Sequence, residues 1–591
     1  MIQVIKTNIT SYRRFFVLLA RYISLNTRLV VIYGLALVAD SFAKAFSAVS
    51  IIPLVNFLAG DGIANNQKIM LFFKNALSLL NLDYTLSSSI MILMFGTLMA
   101  AITELFFYSI GRRNAYKISY FFISIGMKKF FDNGLKFINS HSFGIIQNTF
   151  QREIQQITGG VNGILTMASS IIQISFLLIV ALSLSTSMTT ITIVIMIIVF
   201  ALMSNLNLTL SRLSSKTTQS GNELSHALFE PLLNAKQVLS FGRSENAINL
   251  HSKKYDVHTQ DAIVSQTLGY TIPLIFRTSG IIAVLIALYF SISHGENSAV
   301  LVAALVALVR VVPIASLISS SLATVDIAIP SLDQFENLFG SIKDSQNLPR
   351  LKKYTGFMES IRLTNIFYKH SPARGALLDI NISIKKNSHI AFMGESGSGK
   401  TTCIDIIIGL LYPSSGTVFV DEDLLSKIEL NSFLSHVGYV QQTPSLFKGT
   451  IRDNLLWSNS NATELEMWDA LDLANAGDFV RLAESTLDTE VGDKGSSFSG
   501  GQKQRIALAM ALVRKPDILV LDEVTSSLDY ESEKAIVDTL NKIKNKMTII
   551  SITHKISVAQ NADLVYLFNN GRVIESGHIS ELSESAKLIY E

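Results

Sequence analysis

The sequence predicts two parts of different fold class, a membrane α-helical domain of six transmembrane helices followed by an α/β domain. The first observation is composition: 49% of the residues are hydrophobic and only 16% are charged, whereas soluble proteins have about 25% charged residues. The second is a change near residue 350, where long apolar segments give way to short ones. The formal net charge of +3 is too small to indicate a nucleic-acid partner.

Six long apolar segments precede residue 350, and each is near the roughly 20 residues that a helix needs to cross the hydrocarbon. The third and fourth are separated only by SLSTSM, which predicts a tight hairpin. An alternative with two fewer spans, in which one hairpin is merely interfacial, stays open at this point. The segments run approximately over 29–57, 90–111, 162–184, 188–207, 266–292 and 297–320.

The basic residues predict the orientation of the spans. Four arginines precede the first span, and five basic residues, from Arg112 to Lys129, follow the second. The positive-inside rule therefore predicts a cytoplasmic N-terminus, and six spans return the C-terminal half to the cytoplasm. The polar, basic start lacks the pattern of a cleaved signal peptide, so the first span is predicted to be permanent.

The predicted domain boundaries follow from the same change in composition. Residues 1–325 form the membrane domain, whose helices extend into the cytoplasm, and 326–352 form a polar linker. Residues 353–591 form the α/β domain, because short β-rich runs alternate there with helical patterns. Those runs are HIAFMG, HVGYVQ, DILVLDE and MTIISITH.

The stretch GESGSGKTT fits the phosphate-loop pattern, follows a predicted strand and precedes a predicted helix. Its glycines let backbone N–H groups close around phosphate oxygens, and the helix N-terminus adds a positive dipole end. We expect Lys400 to reach the β- and γ-phosphates of ATP, and the Thr401 hydroxyl to ligate Mg²⁺. The alternative is an ordinary glycine-rich turn. The predicted nucleotide-binding residues are Gly394, Glu395, Ser396, Gly397, Ser398, Gly399, Lys400, Thr401 and Thr402.

The run ILVLDE predicts a buried strand that ends in two acids. Asp522 suits Mg²⁺, directly or through water, and Glu523 suits the general base that polarises the attacking water. An acid pair that only caps a helix is the alternative. The phosphate loop earlier in the chain favours the catalytic interpretation. Together these motifs predict a P-loop NTPase domain.

The segment FSGGQKQR, Phe498 to Arg505, resembles the signature motif of ABC transporters, and further elements of that family stand around it in order. In the membrane half, LLNAKQVLSFGRSENAI resembles the exporter segment that carries the second intracellular loop. The resemblance covers nearly the whole chain and implies an exporter half-transporter, with six spans fused to one nucleotide-binding domain. The other matching elements are Gln442 of the Q-loop, the exporter loop Thr489–Gly495, the D-loop Ser526–Asp529 and the switch histidine His554.

The resemblance also implies roles for these residues. Gln442 joins Thr401 and Asp522 as a Mg²⁺ ligand, while Glu523, Gln442 and His554 are the catalytic residues. The nucleotide-binding residues of the later motifs are Ser499, Gly500, Gly501, Gln502 and Asp529.

In this family the phosphate loop and the signature that enclose one ATP come from different nucleotide domains. This chain has one copy of each, which implies a partner chain. A homodimer with two composite ATP sites is the simplest prediction, and a heterodimer with a related half-transporter is the alternative.

The family usually places an aromatic residue, often Tyr, against the adenine. Alternation through NIFYKH puts His370 at that position and Tyr368 two residues earlier, so His370 is the predicted stacking residue and Tyr368 the alternative.

Ionisable residues within spans are costly and tend to face an interior or a cavity. Asp40 and Lys44 are four residues apart and can pair on one helix face. Arg277 and Arg310 have no adjacent acid, so each is a candidate for binding an anionic head group of the substrate. Each could equally pair with Glu104 or approach the membrane interface.

Short similarities, ALVRVVP and IIPLVNFLAG, to lipid-linked oligosaccharide flippases favour an amphipathic substrate such as a lipid or glycolipid. Export of a drug-like compound or a peptide is the second hypothesis, and an ATP-gated channel or regulator shares every nucleotide motif. A membrane-anchored phosphotransferase is disfavoured, because it leaves the signature motif unexplained. The resemblance places the chain in a bacterial inner membrane, in contact with membrane lipids.

Overall fold

The computed structural model describes residues 13–18, 20, 22–58, 67–79, 81–294, 298–340, 351–371, 374–524 and 530–582, and for a few of these, His370 among them, it describes only the backbone. The chain divides into two compact units. The first comprises Met1–Asn133 and Phe137–Gln346, and the second comprises Gly134–Lys136 and Asn347–Glu591.

The described part of the first unit consists of helices joined by short turns. Six of its helices are long and apolar enough to cross a membrane, which confirms the predicted spans. Helical residues from Arg13 to Leu25 precede the first of them. The helices are α1 (Thr27–Val49), α2 (Ile52–Leu58), α3 (Gln67–Leu79), α4 (Leu86–Asp132), α5 (Gly134–Ser140, which begins in the second unit), α6 (Phe143–Asn148), a π-helical segment (Thr149–Glu153), α7 (Ile154–Leu184), α8 (Thr186–Leu233), α9 (Ala235–Ser240), α10 (Ser244–Ser293) and α11 (Ser298–Phe339).

The predicted hairpin between the third and fourth spans is confirmed. Only Ser185 separates α7 from α8, and its hydroxyl accepts a hydrogen bond from the backbone N–H of Met188. This N-cap satisfies one of the free donors at the start of α8. The two helices therefore reverse direction within a single residue.

The long helix α11 corrects the predicted linker, which begins too early at residue 326. The helix continues to Phe339 because Ala328, Leu332 and Phe335 recur at helical spacing and pack into a buried cluster with Phe15 and Ile154. Polar residues such as Asp333, Gln334 and Glu336 lie between the apolar ones, so the composition resembles a connector while one face is still apolar.

Close packing of α7 against α11 depends on a glycine. A Cβ atom at Gly160 would lie 2.7 Å from the Cβ of Ala328 and 2.9 Å from the ring of Phe15. Two helices whose contact residues are this small approach closely, as is common inside membrane domains.

The predicted pair of Asp40 and Lys44 is confirmed. Asp40 is fully buried, and the Lys44 Nζ lies 3.0 Å from its Oδ2. Lys44 also lies 3.4 Å from Glu104 Oε1, and Gln173 donates to Asp40 at 3.3 Å. A buried charge in a membrane domain needs such partners, so these residues tie α1 to α4 and α7.

The second unit has the α/β organisation that the sequence predicts. One sheet has the strand order β10-β9-β3-β8-β7-β6, and its neighbours from β9 to β6 are parallel. A second, antiparallel sheet has the order β2-β1-β4-β5. The strands are β1 (Ser360–Ser371), β2 (Arg374–Lys385), β3 (His389–Gly394), β4 (Ser415–Val420), β5 (Asp423–Leu424), β6 (Val437–Val440), β7 (Ile518–Asp522), β8 (Thr548–Ile552), β9 (Leu564–Asn569) and β10 (Arg572–Gly577).

The central strands β3, β7 and β8 are buried along their whole length, which is why they read as continuous apolar runs. Their carboxyl ends meet at one edge of the sheet, where open α/β folds bind ligands. The helices of this unit are α12 (Lys400–Ile407), α13 (Leu430–Leu434), α14 (Ile451–Ser458), α15 (Glu464–Leu473), α16 (Gly477–Leu482), α17 (Gly500–Leu512), α18 (Tyr530–Ile543) and α19 (Ile556–Ala559).

Candidate nucleotide-binding site

The phosphate loop has the predicted context, because β3 ends at Gly394 and α12 begins at Lys400. Gly399 caps α12 with φ = +105°, a conformation that favours glycine. A Cβ atom there would lie 2.6 Å from the carbonyl oxygen of Ala376. The glycine is therefore required both by the turn and by the close approach of β2.

Lys400 lies inside this loop and is only 4% exposed. Its Nζ donates to the carbonyl oxygens of Gly394 at 2.6 Å and Glu395 at 2.8 Å. Burial lowers the pKa of Lys400, while the charges of Glu523 and Asp522 raise it. The loop thus holds a cation at its centre, where an anionic ligand would replace the carbonyl partners.

Asp522 ends β7 and is largely buried. The Thr401 hydroxyl donates to its Oδ1 at 3.5 Å, and the Tyr439 hydroxyl donates to its Oδ2 at 3.3 Å. Burial, and then the charge of Glu523, raise the pKa of the Asp522 carboxyl. A cation beside Thr401 and Asp522 would relieve this unfavourable environment.

The side-chain oxygens of Thr401 and Asp522 fit Mg²⁺ only when a bound nucleotide supplies further ligands. Within the described ranges, no cluster of three or more His, Cys, Asp or Glu residues could hold a metal ion by itself. Mg²⁺ is usually held by one or two protein oxygens plus substrate phosphates and water, and the pair of Thr401 and Asp522 matches that pattern.

Glu523 lies next to Asp522 in a left-handed conformation, with φ = +48°. Such backbone strain costs about 1–3 kcal/mol and is frequent at functional sites. Gln442 donates to one carboxylate oxygen of Glu523 at 2.5 Å, and His554 Nε2 lies 3.2 Å from the other. The side chains that follow β6, β7 and β8 therefore converge on one carboxylate.

A cavity of about 400 Å³ unites these parts. The structure therefore brings the phosphate loop together with the three predicted catalytic residues. The cavity is lined by Ala376, Ser396, Gly397, Gly399, Lys400, Thr401, Thr402, Gln442, Glu523 and His554.

The signature residues do not line this cavity. Ser499 is the N-cap of α17: its hydroxyl accepts from Gln502 N at 3.3 Å, and the Gln502 side chain accepts from Ser499 N at 3.0 Å. Both Ser499 and Gly500 are exposed, and a Cβ atom at Gly500 would meet open space. One chain thus presents a second helix N-terminus, competent to bind an anion, away from its own phosphate loop.

The prediction of Tyr368 as the alternative residue that stacks on adenine is wrong. It is 2% exposed and packs in the core beside Leu377 and Ile404, so its ring has no free face for a base. The side chain of His370 and the residue Asp529 lie outside the described residues, as does the rest of Ser526–Asp529. Their predicted roles stay predictions.

The sequence did not single out three residues that belong to this site. Ala376 and Tyr439 contact it as described above, and Asp405 lies one turn along α12, nearly buried. Burial, and then the charge of Asp522, raise the pKa of Asp405 to about 7. Of the three, only Tyr439 could have been found from the sequence. It lies in YVQQ, just before Gln442, on the strand that pairs with β7.

The two candidate substrate residues lie in the first unit. Arg310 is half-buried in α11 and its Nη1 donates to Ser47 Oγ on α1 at 3.1 Å. Arg277 is exposed on α10. Glu104, an alternative partner for both, is engaged by Lys44 instead.

Two family profiles match the chain. The one described as "ABC transporter" matches residues 377–526, and the one described as "ABC transporter transmembrane region" matches residues 30–312. The first range contains the phosphate loop, Asp522 and Glu523, and the second contains most of the six spans.

The chain is similar to "Heterocyst differentiation ATP-binding protein HepA" of Nostoc sp., with 30% identity over 75% of this chain and 73% of the relative. A solved structure, "Structure of a bacterial Atm1-family ABC exporter with ATP bound", superposes with a TM-score of 0.82 over 95% of this chain and 98% of the other. Its sequence identity is 19%, so it informs the fold alone.

Two fungal relatives match over shorter stretches. "ABC multidrug transporter MDR2" of Trichophyton interdigitale is 36% identical over 45% of this chain, and "Sophorolipid transporter" of Starmerella bombicola is 40% identical over 38%. The chain spans only 19% and 18% of the lengths of these two proteins.

Proposed function

The chain belongs to the ABC transporter family, with a fused transmembrane region and nucleotide-binding domain, and on this premise we propose that two copies of it form an ATP-driven exporter. The exporter moves an amphipathic substrate across a membrane by alternating access. The observation that carries this proposal is the cavity that joins the phosphate loop to Gln442, Glu523 and His554.

The proposed reaction is hydrolysis of ATP to ADP and phosphate. Glu523 accepts a proton from the attacking water, and Gln442 and His554 hold its carboxylate in place. Lys400 and the loop N–H groups bind the phosphates. Thr401 and Asp522, with Gln442, would hold Mg²⁺, which neutralises phosphate charge when bound.

The second copy completes each ATP site in this proposal. The exposed N-terminus of α17 supplies the Ser499 hydroxyl and backbone N–H groups to the γ-phosphate held by the partner chain. Binding of ATP then draws the two nucleotide-binding units together. Hydrolysis releases them and resets the membrane helices.

The proposed substrate is a lipid or glycolipid. Arg310, half-buried at mid-span and without an acidic partner among the described residues, supports an anionic or polar head group. The similarity to a protein named as a sophorolipid transporter is consistent with this class. Export of a drug-like compound is the second candidate, supported by the relative named as a multidrug transporter.

The proposed location is a bacterial inner membrane, with the N-terminus and the nucleotide-binding unit in the cytoplasm. The basic residues that follow the second span support this orientation.

Reconstitution in vesicles tests the transport function. We expect ATP-dependent movement of a labelled lipid by the wild-type chain, and its loss with Glu523→Gln, which still binds Mg·ATP. Glu531→Gln, an exposed change on α18, is the matched control and should transport normally. ATP turnover with ion conductance and no movement of lipid or drug-like probes would instead identify a channel.

A further inference from the structure

A second cavity lies within the first unit and shares no lining residue with the cavity around Lys400. Its volume is about 580 Å³, and α8 and α11 supply most of its wall. Nine of its thirteen lining residues are polar or charged. A cavity of this size and polarity fits a hydrophilic organic ligand better than an apolar one.

The sequence indicates that the cavity lies beyond the most apolar part of the spans. The apolar segments 188–207 and 297–320 both end before the residues that line it, Arg212 on α8 and Asp333 on α11 among them. On the other wall, Asp333 and Gln334 lie near the end of α11. A ligand can therefore reach the cavity from water or from the head-group layer.

Hydrogen bonds fix the polar wall in one arrangement. Asn222 donates to the Gln334 side chain at 2.8 Å, and Gln334 donates to Thr149 Oγ1 at 2.8 Å and to Asn222 Oδ1 at 3.1 Å. Asn148 donates to the same oxygen of Asn222 at 2.7 Å. The wall amides are thus oriented before any ligand binds, which reduces the entropy that binding must overcome.

A buried carboxylate anchors this network from behind. Glu153 is 0% exposed, and it accepts from Asn148 at 3.1 Å and from Thr218 at 3.3 Å. It ends the π-helical segment Thr149–Glu153, a helix form that is frequent at functional sites. Because Thr218 also lines the cavity, the carboxylate fixes the wall itself.

One positive charge on the wall is uncompensated. Asp333 pairs with Arg14 at 2.6 Å. Arg212 is exposed, and across the described parts of the chain it makes no ion pair or hydrogen bond. A guanidinium beside oriented amides and the hydroxyls of Ser211 and Ser215 matches an anion that also carries several hydroxyl groups.

We propose that this cavity binds a polyhydroxylated organic anion of the sugar-phosphate type. Arg212 binds the phosphate, and the hydroxyl and amide groups of α8 and α11 bind the sugar. A role of this cavity in transport rests on the proposed export of a lipid or glycolipid. The cavity would then select the head group of that substrate. The same chemistry occurs in a free sugar phosphate, which would make the cavity a site for a soluble ligand.

Equilibrium dialysis of the full chain in phosphatidylcholine nanodiscs, without ATP, tests the site with labelled glucose 1-phosphate. All variants carry Lys400→Ala, which removes phosphate binding at the phosphate loop. We expect saturable binding, and affinities about tenfold or more lower for glucose and for inorganic phosphate, since each satisfies only part of the site.

Two changes at the wall and one matched control give the decisive comparison. Arg212→Gln should weaken binding of glucose 1-phosphate by about tenfold or more. Ser215→Asp, an exposed change that leaves the network intact, should weaken it similarly by repulsion. Lys216→Gln removes the same charge from α8 outside the cavity and should have no effect. Equal affinity in Arg212→Gln and Lys216→Gln, or binding of inorganic phosphate as tight as that of glucose 1-phosphate, would overturn the proposal.

The source of the ligand follows from competition. If phosphatidylinositol in the nanodisc displaces bound glucose 1-phosphate from the chain with Arg212 intact and equally from Lys216→Gln, the ligand is a lipid head group. If phosphatidylinositol does not compete while glucose 1-phosphate binds through Arg212, the ligand is a soluble sugar phosphate. Binding is measured without transport, so a failed transport assay would contradict the proposed export and leave this site standing.

Discussion

At the scale of single residues, the hydroxyl of Tyr439 tunes the acid that we expect to face Mg²⁺. It donates to Asp522 Oδ2 at 3.3 Å, in a buried place where the pKa of Asp522 is raised. A hydrogen bond to a charged group stabilises it by about 1.5–3 kcal/mol. Tyr439 therefore favours the ionised form of Asp522 that a cation requires.

Replacing Tyr439 by Phe should raise the Mg²⁺ concentration for half-maximal ATPase activity by about three- to tenfold, because Asp522 loses a donor that stabilises its charge. A Mg²⁺ titration of the purified chain at saturating ATP measures this. Tyr412→Phe, at an exposed position, is the control and should match the wild type. An unchanged Mg²⁺ dependence in Tyr439→Phe would show that the hydroxyl does not act on Asp522.

Asp405 makes stability depend on pH. Its pKa is raised from 3.8 to about 7 in the folded protein, first by burial and then by Asp522. Folding thus favours the protonated form of Asp405. The stability that this proton binding gives to the folded state is fully present below pH 3.8, and it is lost as the pH rises through 7. Above pH 7 the buried charge disfavours the folded state.

Asp405→Asn should therefore stabilise the nucleotide-binding unit, and the gain in stability over the wild type should grow between pH 5 and pH 8. Because one unit of pKa shift corresponds to about 1.4 kcal/mol, the gain should reach a few kcal/mol at most. Both tryptophans, Trp457 and Trp468, lie in this unit, so tryptophan fluorescence during metal-free, nucleotide-free unfolding reports on it. A difference from wild type that is constant over this pH range would contradict the raised pKa.

At the scale of elements, the contact of α7 with α11 fixes the core of the membrane unit. Gly160→Val should lower stability by about 1–3 kcal/mol, because its side chain would meet Ala328 and Phe15. Gly34→Val is the control, since a Cβ atom at Gly34 meets nothing within 4 Å. The midpoint of heat-induced loss of monodisperse protein in nanodiscs measures both, and equal midpoints would show that α7 and α11 can separate at no cost.

Helices and strands with a continuous apolar run were predicted from the sequence, and those without one were not. The six spans and the strands β3, β6, β7 and β8 were predicted because each is a continuous apolar run. The extension of α11 to Phe339 was not, since its apolar face alternates with serines and acids. The π-helical segment Thr149–Glu153 was not predicted, and it ends at Glu153, whose carboxylate accepts from Asn148 and Thr218.

In the nucleotide cavity too, the sequence indicated residues in local motifs but not burial or backbone contacts. Local motifs predicted Lys400, Asp522 and Glu523. Lys400 and Glu523 line one cavity and Asp522 lies beside Thr401, while the roles of all three stay predictions. Tyr368 was wrongly offered as a stacking residue, because alternation along β1 identifies a face and not the depth of burial. Ala376 contacts the loop through its backbone, so its side chain gave no indication of that contact.

At the scale of the whole molecule, the proposed transport cycle depends on a contact between two chains. The N-terminus of α17, capped by Ser499, is exposed and does not line the cavity around Lys400. We propose that it completes the ATP site of a second copy. Every other step of the proposed cycle, from closure of the nucleotide-binding units to export, follows from that exchange.

Mixed dimers test this relation. Chains with Lys400→Ala and chains with Ser499→Arg are co-expressed under different tags, and the heterodimer is purified by both tags. Occlusion of Mg·ADP with vanadate is then counted per dimer. The comparison dimer pairs a wild-type chain with a chain that carries both changes.

If the signature acts on the partner chain, the heterodimer of single variants keeps one intact composite site and should occlude about one nucleotide per dimer, while the comparison dimer should occlude none. If the signature acts within its own chain, the two results are exchanged. Occlusion in the comparison dimer, and none in the heterodimer of single variants, would contradict the central claim.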